Sequence, residues 1–84
     1  MREYPKLTEV IPIEDYRLVL TYDGVEKRLF DFKPNLNHKF YAPLSNIVMF
    51  NAVTTSDGEI EWATGQDFCP HTLYDNSQLL ENLS

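Results

Sequence analysis

Residues 62–74 carry the side chains of this chain that come closest to known catalytic chemistry. Asp67, Cys69 and His71 stand there at alternate positions. A cysteine becomes a nucleophile when a base lies near it and its pKa is lowered, as can happen at a helix N-terminus. Pro70 suits the first turn of a helix, so Cys69 is expected just before such an N-terminus. A small enzyme that uses Cys69 and His71 is therefore one hypothesis.

The same residues also have ordinary structural explanations. Residues two apart on a helix do not face each other, so Cys69 and His71 are not expected to meet. Cysteine is a common buried apolar side chain, and Asp67 suits a helix cap or a loop hydrogen bond. Zinc requires about four close ligands, and adding the distant His38 does not supply them. We therefore predict no catalytic residue, no metal site and no cofactor. We also predict that Gly65 lies in a turn that needs positive φ.

A proline- and asparagine-rich stretch offers a better candidate for recognition. It holds two aromatic residues beside a basic one, in the order His38, Lys39, Phe40, Tyr41. Constrained loops that carry aromatic residues are good recognition surfaces. The alternative is that Phe40 and Tyr41 close over the sheet of a small core. Trp62, Asp67 and Tyr74 complete the predicted interaction residues, although burial is the competing explanation for Trp62.

The composition is that of one small globular domain over residues 1–84. With 43% hydrophobic and 13% aromatic residues, the chain can pack a core, though a small one. Its single cysteine, Cys69, excludes an internal disulfide and favours a reducing, cytoplasmic setting. The N-terminal residues lack the apolar run of a signal peptide, and no run approaches the roughly 20 residues of a membrane span. We therefore expect a cytoplasmic protein.

Acidic residues outnumber basic ones by 13 to 7, which gives a formal net charge of -6. Non-specific nucleic-acid binding requires clustered lysine and arginine, so we expect no direct contact with nucleic acid and no docking on an anionic membrane. The charge suits solubility or a basic protein partner. The oligomeric state stays open, because an edge strand near Pro12 could pair with another chain or be blocked by that proline.

Three strands are predicted in the first half of the chain, over residues 7–13, 16–22 and 25–32. Pro12 cannot donate to a ladder, which places the first strand at a sheet edge. The second strand alternates in polarity with a period of two, and this indicates one buried face. Asp23-Gly24 then predicts a tight hairpin.

The register of that hairpin has two solutions. A two-residue turn pairs Leu18 with Leu29, whereas a three-residue loop with a bulge pairs Tyr16 with Phe30. One residue of slip moves every side chain to the other face. We favour the three-residue loop because it gathers Tyr16, Leu18, Leu20 and Phe30 on one face. Its cost is that two charged residues join that face, Glu26 and Arg28.

Four further elements are predicted: a middle helix over residues 46–50, strands over 52–56 and 59–62, and a C-terminal helix over 71–75. Ser45 can cap the middle helix, and Asp57-Gly58 joins the two strands as a second hairpin. The tail after the last helix has Leu79, Leu80 and Leu83 at helical spacing and can extend the helix or fray. The fold class is therefore α+β, with a small antiparallel sheet of about five strands, one short middle helix and a C-terminal helix.

The order of these pieces resembles a small bacterial family known as domain-of-unknown-function family 2442. The resemblance covers residues 7–74. It rests on Val10-x-Pro12, Tyr16-Arg17-Leu18, Tyr22-Asp23-Gly24, Phe30-Asp31, Pro43-Leu44 leading to Phe50, and Trp62-x-x-Gly65-x-Asp67-Phe68-x-Pro70-x-Thr72-Leu73-Tyr74.

The resemblance implies a small α+β fold and no established activity, cofactor or catalytic residue. Some members of the family carry a DNA-binding-like C-terminal extension, and many are encoded beside another small protein in what looks like a toxin–antitoxin arrangement. This chain ends at Ser84, soon after Tyr74, so DNA binding through such an extension is not expected.

Three functions are therefore carried forward. The first is a non-enzymatic protein-interaction module that presents a sheet edge or the 38–41 segment to a protein partner. The second is an antitoxin-like regulator that neutralises a small basic partner. The third is the small enzyme that uses Cys69 and His71.

Overall fold

The fold consists of two antiparallel sheets with short helices between them. The computed structural model describes residues 4–80. The strands of this region are β1 (Leu7–Ile13), β2 (Arg17–Tyr22), β3 (Glu26–Asp31), β4 (Thr54–Ser56), β5 (Glu59–Glu61) and β6 (Gln78–Leu79). Four strands form one sheet in the order β1-β2-β3-β6, and β4 pairs with β5 in the second sheet. The predicted α+β class with antiparallel pairing is confirmed.

The helices are short, and most of the connections are 3₁₀ turns. The α-helices are α1 (Ile47–Phe50) and α2 (Pro70–Asn76), and the 3₁₀ helices cover Glu14–Tyr16, Lys33–Asn37 and Lys39–Ser45. Proline at the first position of α2 follows the rule that its missing N–H costs nothing there. No helix within residues 4–80 has the length and hydrophobicity to cross a membrane.

The β2–β3 hairpin combines parts of both predicted registers. Asp23 and Gly24 have φ of 52 and 76, and the Val25 N–H donates to the Tyr22 oxygen at 3.0 Å, so the Asp-Gly turn forms. Val25 is then an extra residue, 79% exposed, and the pairing continues from Tyr22 to Glu26. Neither predicted register has the observed pairs, but the three-residue loop of the favoured one is confirmed, because three residues separate Tyr22 from Glu26. The faces of the favoured register are also confirmed, because Phe30 pairs with Leu18 and shares the buried face of the sheet.

The core lies between the inner face of the large sheet and the rest of the chain. Inward-facing strand residues pack against residues of both helices and of the β4–β5 hairpin; the buried set is Leu7, Leu18, Leu20, Tyr22, Phe30, Phe32, Leu44, Phe50, Val53, Ile60, Trp62, Leu73 and Tyr74. Phe32 is at the centre, with its ring centroid 5.1 Å from that of Trp62 and 5.8 Å from that of Phe50. An aromatic core of this kind concentrates burial in few residues, which suits a short chain.

Three local predictions were wrong. Tyr16 is outside β2, in a turn where Asp15 and Tyr16 both have positive φ (66 and 60). Asn46, and not Ser45, caps α1, because its side chain accepts from the Val48 N–H at 3.0 Å. The tail after α2 is not helical within the described region: β6 pairs with β3 instead, and Leu83 lies outside the described residues.

Candidate functional site

Two segments that are distant in sequence meet on one surface. The Tyr41 hydroxyl donates to the backbone oxygen of Asp67 at 2.7 Å, and the side-chain amide of Gln66 donates to the Phe40 oxygen at 3.3 Å. These bonds bring the 38–41 segment against the loop that precedes α2. We call the exposed side chains of His38, Lys39, Phe40 and Asp67 the Phe40 surface, with Tyr41 beneath them.

The 38–41 segment is held by local hydrogen bonds. His38 precedes the 3₁₀ helix Lys39–Ser45, and its Nδ1 accepts from the Phe40 N–H at 3.2 Å. The Tyr41 N–H donates to the His38 oxygen at 2.9 Å. Side-chain capping of this type satisfies backbone donors that the helix itself leaves without partners. The segment is therefore a defined turn and not a free loop.

The two aromatic residues of the segment divide between core and surface. The Tyr41 ring packs edge-on against Phe32 at a centroid distance of 5.2 Å and contacts Phe68 at 5.8 Å. Burial raises the pKa of its hydroxyl, with smaller contributions from Asp67 and Cys69. Phe40 contacts Tyr41 at 4.9 Å but keeps 49% of its surface exposed. The idea that both rings close over the sheet thus holds for Tyr41 alone.

Acidic side chains border the Phe40 surface. Asp67 forms an isolated antiparallel bridge with Glu61, so the two acidic residues are cross-strand neighbours. Glu59 is exposed on the same face of β5, because the residue between it and Glu61, Ile60, is buried. Within residues 4–80, none of these three acids forms an ion pair. Like charges placed opposite each other are unfavourable until a cation lies between them.

Cys69 immediately precedes α2, as the sequence predicts. Its side chain is exposed, so the explanation that Cys69 is a buried apolar residue is wrong. Hydrogen bonds from the backbone and hydroxyl groups of Thr72, and then from the backbone of His71, lower the pKa of the Cys69 thiol. The His71 ring stacks on Tyr4 at 4.4 Å. Over the described part of the chain, no three His, Cys, Asp or Glu side chains are grouped so that they could hold a metal ion.

Two predicted interaction residues lie in the core. Trp62 is 2% exposed and donates from Nε1 to the Phe50 oxygen at 3.0 Å. Tyr74 is also buried; its hydroxyl donates to Glu26 at 2.6 Å, and Arg28 lies 4.2 Å above its ring. A partner could contact these two rings only if the core opened. Their predicted role in interaction is untested.

One residue that joins the two segments, Gln66, was not singled out in the sequence. Gln66 is buried, and its carbonyl oxygen accepts from the Thr64 hydroxyl while its amide reaches the Phe40 oxygen. The only available signal was the position of this glutamine, between Gly65 of the predicted turn and Asp67. Gly65 has φ of 99, which confirms the predicted turn.

Comparison with known proteins identifies the family. A family model described as "Protein of unknown function (DUF2442)" matches residues 7–78 of the chain. The chain belongs to the DUF2442 family. The match begins at β1 and extends to the first residue of β6, so it includes the Phe40 surface. No curated protein and no solved structure shows significant similarity to this DUF2442 protein.

Proposed function

We propose that this protein is a non-enzymatic interaction module of the cytoplasm that binds a protein partner through the Phe40 surface. The observation that carries the proposal is the half-exposed Phe40 ring, held on a hydrogen-bonded 3₁₀ turn. Large aromatic side chains dominate the energetics of protein interfaces because they bury much surface at little entropic cost.

Pre-organisation strengthens this argument. The Phe40 N–H bonds to His38, the Phe40 oxygen bonds to Gln66, and the ring rests on Tyr41. A side chain that is already fixed loses little freedom when a partner covers it, so more of the contact energy appears as affinity. A partner with an apolar pocket for Phe40 and a basic group near Asp67 fits the chemistry of this surface.

Affinity capture from the native host with matched variants tests the proposal. Tagged wild-type protein, Phe40→Ala and Val48→Ala are used as baits, and the captured proteins are identified by mass spectrometry. Val48 is a suitable control because it is an apolar side chain, 72% exposed, in the separate helix α1. We expect one protein at stoichiometric level with wild type and Val48→Ala, and its loss with Phe40→Ala. Equal capture by all three baits would contradict the proposal.

A second candidate is an antitoxin-like regulator that neutralises a small basic protein. The Glu61–Asp67 pair favours it, because a cationic group from a partner would relieve the repulsion between these carboxylates. A Glu61→Gln, Asp67→Asn double variant should then lose a basic partner that wild type releases only at high salt. Glu14→Gln, in the β1–β2 turn, is the control. A gene for a small basic protein next to this one would favour the same candidate.

A further inference from the structure

The large sheet has a second face that does not belong to the core. Its side chains point away from Leu18, Leu20 and Phe30 and form three rows across the strands. These rows are Glu9, Thr21 and Lys27; then Ile11, Val19, Leu29 and Gln78; then Ile13, Arg17 and Asp31. We call this surface the outer face.

The middle row of the outer face is apolar and partly open to solvent. Ile11 is 44% exposed, and Val19 and Leu29 beside it are half-buried. None of these three packs against the core cluster. An antiparallel sheet with one solvated face ordinarily alternates apolar residues inside with polar residues outside. A row of aliphatic side chains on the outside is typical of a surface that another molecule covers.

The charges of the outer face balance, although the chain as a whole carries -6. Glu9 and Lys27 border the apolar row on one side, with 4.0 Å between the Lys27 Nζ and a Glu9 carboxylate oxygen. Arg17 and Asp31 are cross-strand partners on the other side. The excess negative charge of the protein therefore lies elsewhere, and two copies can meet here without facing like charge.

We propose that a second copy of this chain packs on the outer face, about a two-fold axis that runs along the apolar row. Such an axis places each aliphatic side chain of the row against its own counterpart in the other copy. It also places the Lys27 row of one copy over the Asp31 row of the other. Lys27 then faces the Asp31 of the second copy, and Glu9 is next to its Arg17. This charge complementarity selects a second copy as the occupant.

The area of the outer face indicates how tightly two copies can associate. The four strands of the sheet, at about 4.8 Å spacing and about 3.3 Å rise per residue, give about 330 Å² of sheet plane per copy. This lies below the roughly 800 Å² that each partner buries in a standard stable interface. The dimer is therefore weak and forms at micromolar or higher concentration, as a sheet-on-sheet sandwich.

Sedimentation velocity of the full chain, from low micromolar to near-millimolar concentration, tests the proposal. We expect wild type to shift from monomer to dimer, and Val19→Lys to remain monomeric, with the dimer dissociation constant raised at least about tenfold because an unpaired charge would be buried. Val25→Lys, in the exposed β2–β3 loop, is the control for the added charge. Wild type that stays monomeric throughout, or Val19→Lys that dimerises like wild type, would overturn the proposal.

A charge exchange tests the two-fold axis independently of whether Val19→Lys folds. Lys27→Asp and Asp31→Lys should each weaken the dimer, and the double variant should restore it, because each copy again meets its opposite charge. If the double variant does not restore the dimer, the proposed two-fold alignment of the two sheets is overturned. Phe40→Ala should dimerise like wild type, so failure of the dimer and failure of partner binding at the Phe40 surface are distinguishable. Protection of the outer face from hydrogen exchange only when another protein is added would assign that face to a different occupant and overturn the proposal.

Discussion

The Tyr41 hydroxyl and the backbone oxygen of Asp67 are 2.7 Å apart, and this hydrogen bond joins two segments separated by 26 positions. On one side of the bond is the 3₁₀ turn that presents Phe40, and on the other is the loop that leads to α2. The geometry of the Phe40 surface therefore depends on the bond from Gln66 to the Phe40 oxygen and on a side chain whose ring packs against the core and whose hydroxyl reaches the loop.

Removing that hydroxyl should loosen the surface without unfolding the protein. Tyr41→Phe keeps the ring contacts with Phe32 and Phe68 but leaves the Asp67 oxygen without this donor. We expect the free energy of unfolding to fall by about 0.5–1.5 kcal/mol, as for an ordinary hydrogen bond. Urea unfolding measures this loss, and amide exchange at Phe40 and Asp67 should accelerate more than exchange in β2. Equal acceleration in both regions would contradict a local role.

Gly65 should tolerate no ordinary side chain. Its φ of 99 is costly for an L-residue, yet an added Cβ would meet no atom within 4 Å, so the cost comes from the backbone alone. Gly65→Ala should destabilise the protein by about 1–3 kcal/mol in urea unfolding. Gly65→Asn should cost less, because asparagine adopts positive φ more readily than alanine. An alanine variant as stable as wild type would show that the turn adopts another conformation.

Cys69 should react with alkylating reagents at lower pH than an ordinary cysteine. Hydrogen bonds from Thr72, and then from His71, lower its pKa, and the thiol is exposed. The pH profile of iodoacetamide alkylation should therefore have its midpoint below the ordinary value of about 8.5. Thr72→Val should move the midpoint upward, because it removes the hydroxyl hydrogen bond. If wild type and Thr72→Val had the same midpoint, the hydroxyl of Thr72 would be ruled out as a cause of the lowered pKa.

Tyr22 should make the fold sensitive to alkaline pH. Burial raises the pKa of Tyr22 to about 12 from an ordinary value of about 10. The folded state holds this proton more tightly than the unfolded chain does. The stabilisation that the raised pKa of Tyr22 gives the folded state is therefore complete below about pH 10, and it is lost as the pH rises towards about 12.

Replacing Tyr22 by phenylalanine should remove much of that dependence. The Tyr22 hydroxyl has no hydrogen-bond partner within residues 4–80. Tyr22→Phe should therefore keep the wild-type free energy of unfolding at neutral pH, or raise it by up to about 1 kcal/mol. Between about pH 10 and 12 its stability should fall less than that of wild type. A loss above about 1 kcal/mol at neutral pH would show that the hydroxyl is bonded.

The elements with strong local signals were predictable from the sequence. β1 has the predicted bounds, Pro12 is on an edge strand, and both Asp-Gly turns form. These features depend on backbone chemistry that each residue carries with it. The short strand β6 has no such signal, because only its pairing with Arg28 and Leu29 makes Gln78–Leu79 a strand.

The candidate surface was only partly predictable, for a geometric reason. The sequence pointed to both Phe40 and Asp67, but their contact depends on how two irregular segments pack. In a 3₁₀ turn, neither the period of two nor that of 3.6 applies, so the sequence could not say which of Phe40 and Tyr41 is exposed. The apolar outer face was missed because the alternation along β2 indicated one buried face only, although Val19 occupies an outward position between Arg17 and Thr21.

Photo-crosslinking from position 40 tests the central claim most directly. A benzophenone amino acid replaces Phe40 in the native host, and the same amino acid replaces Val48 as the control. The account predicts a single crosslinked protein from position 40 that is absent from position 48, and it predicts that Tyr41→Phe weakens this crosslink. No crosslink from position 40, or the same products from both positions, would contradict the assignment of the Phe40 surface as a protein-binding site.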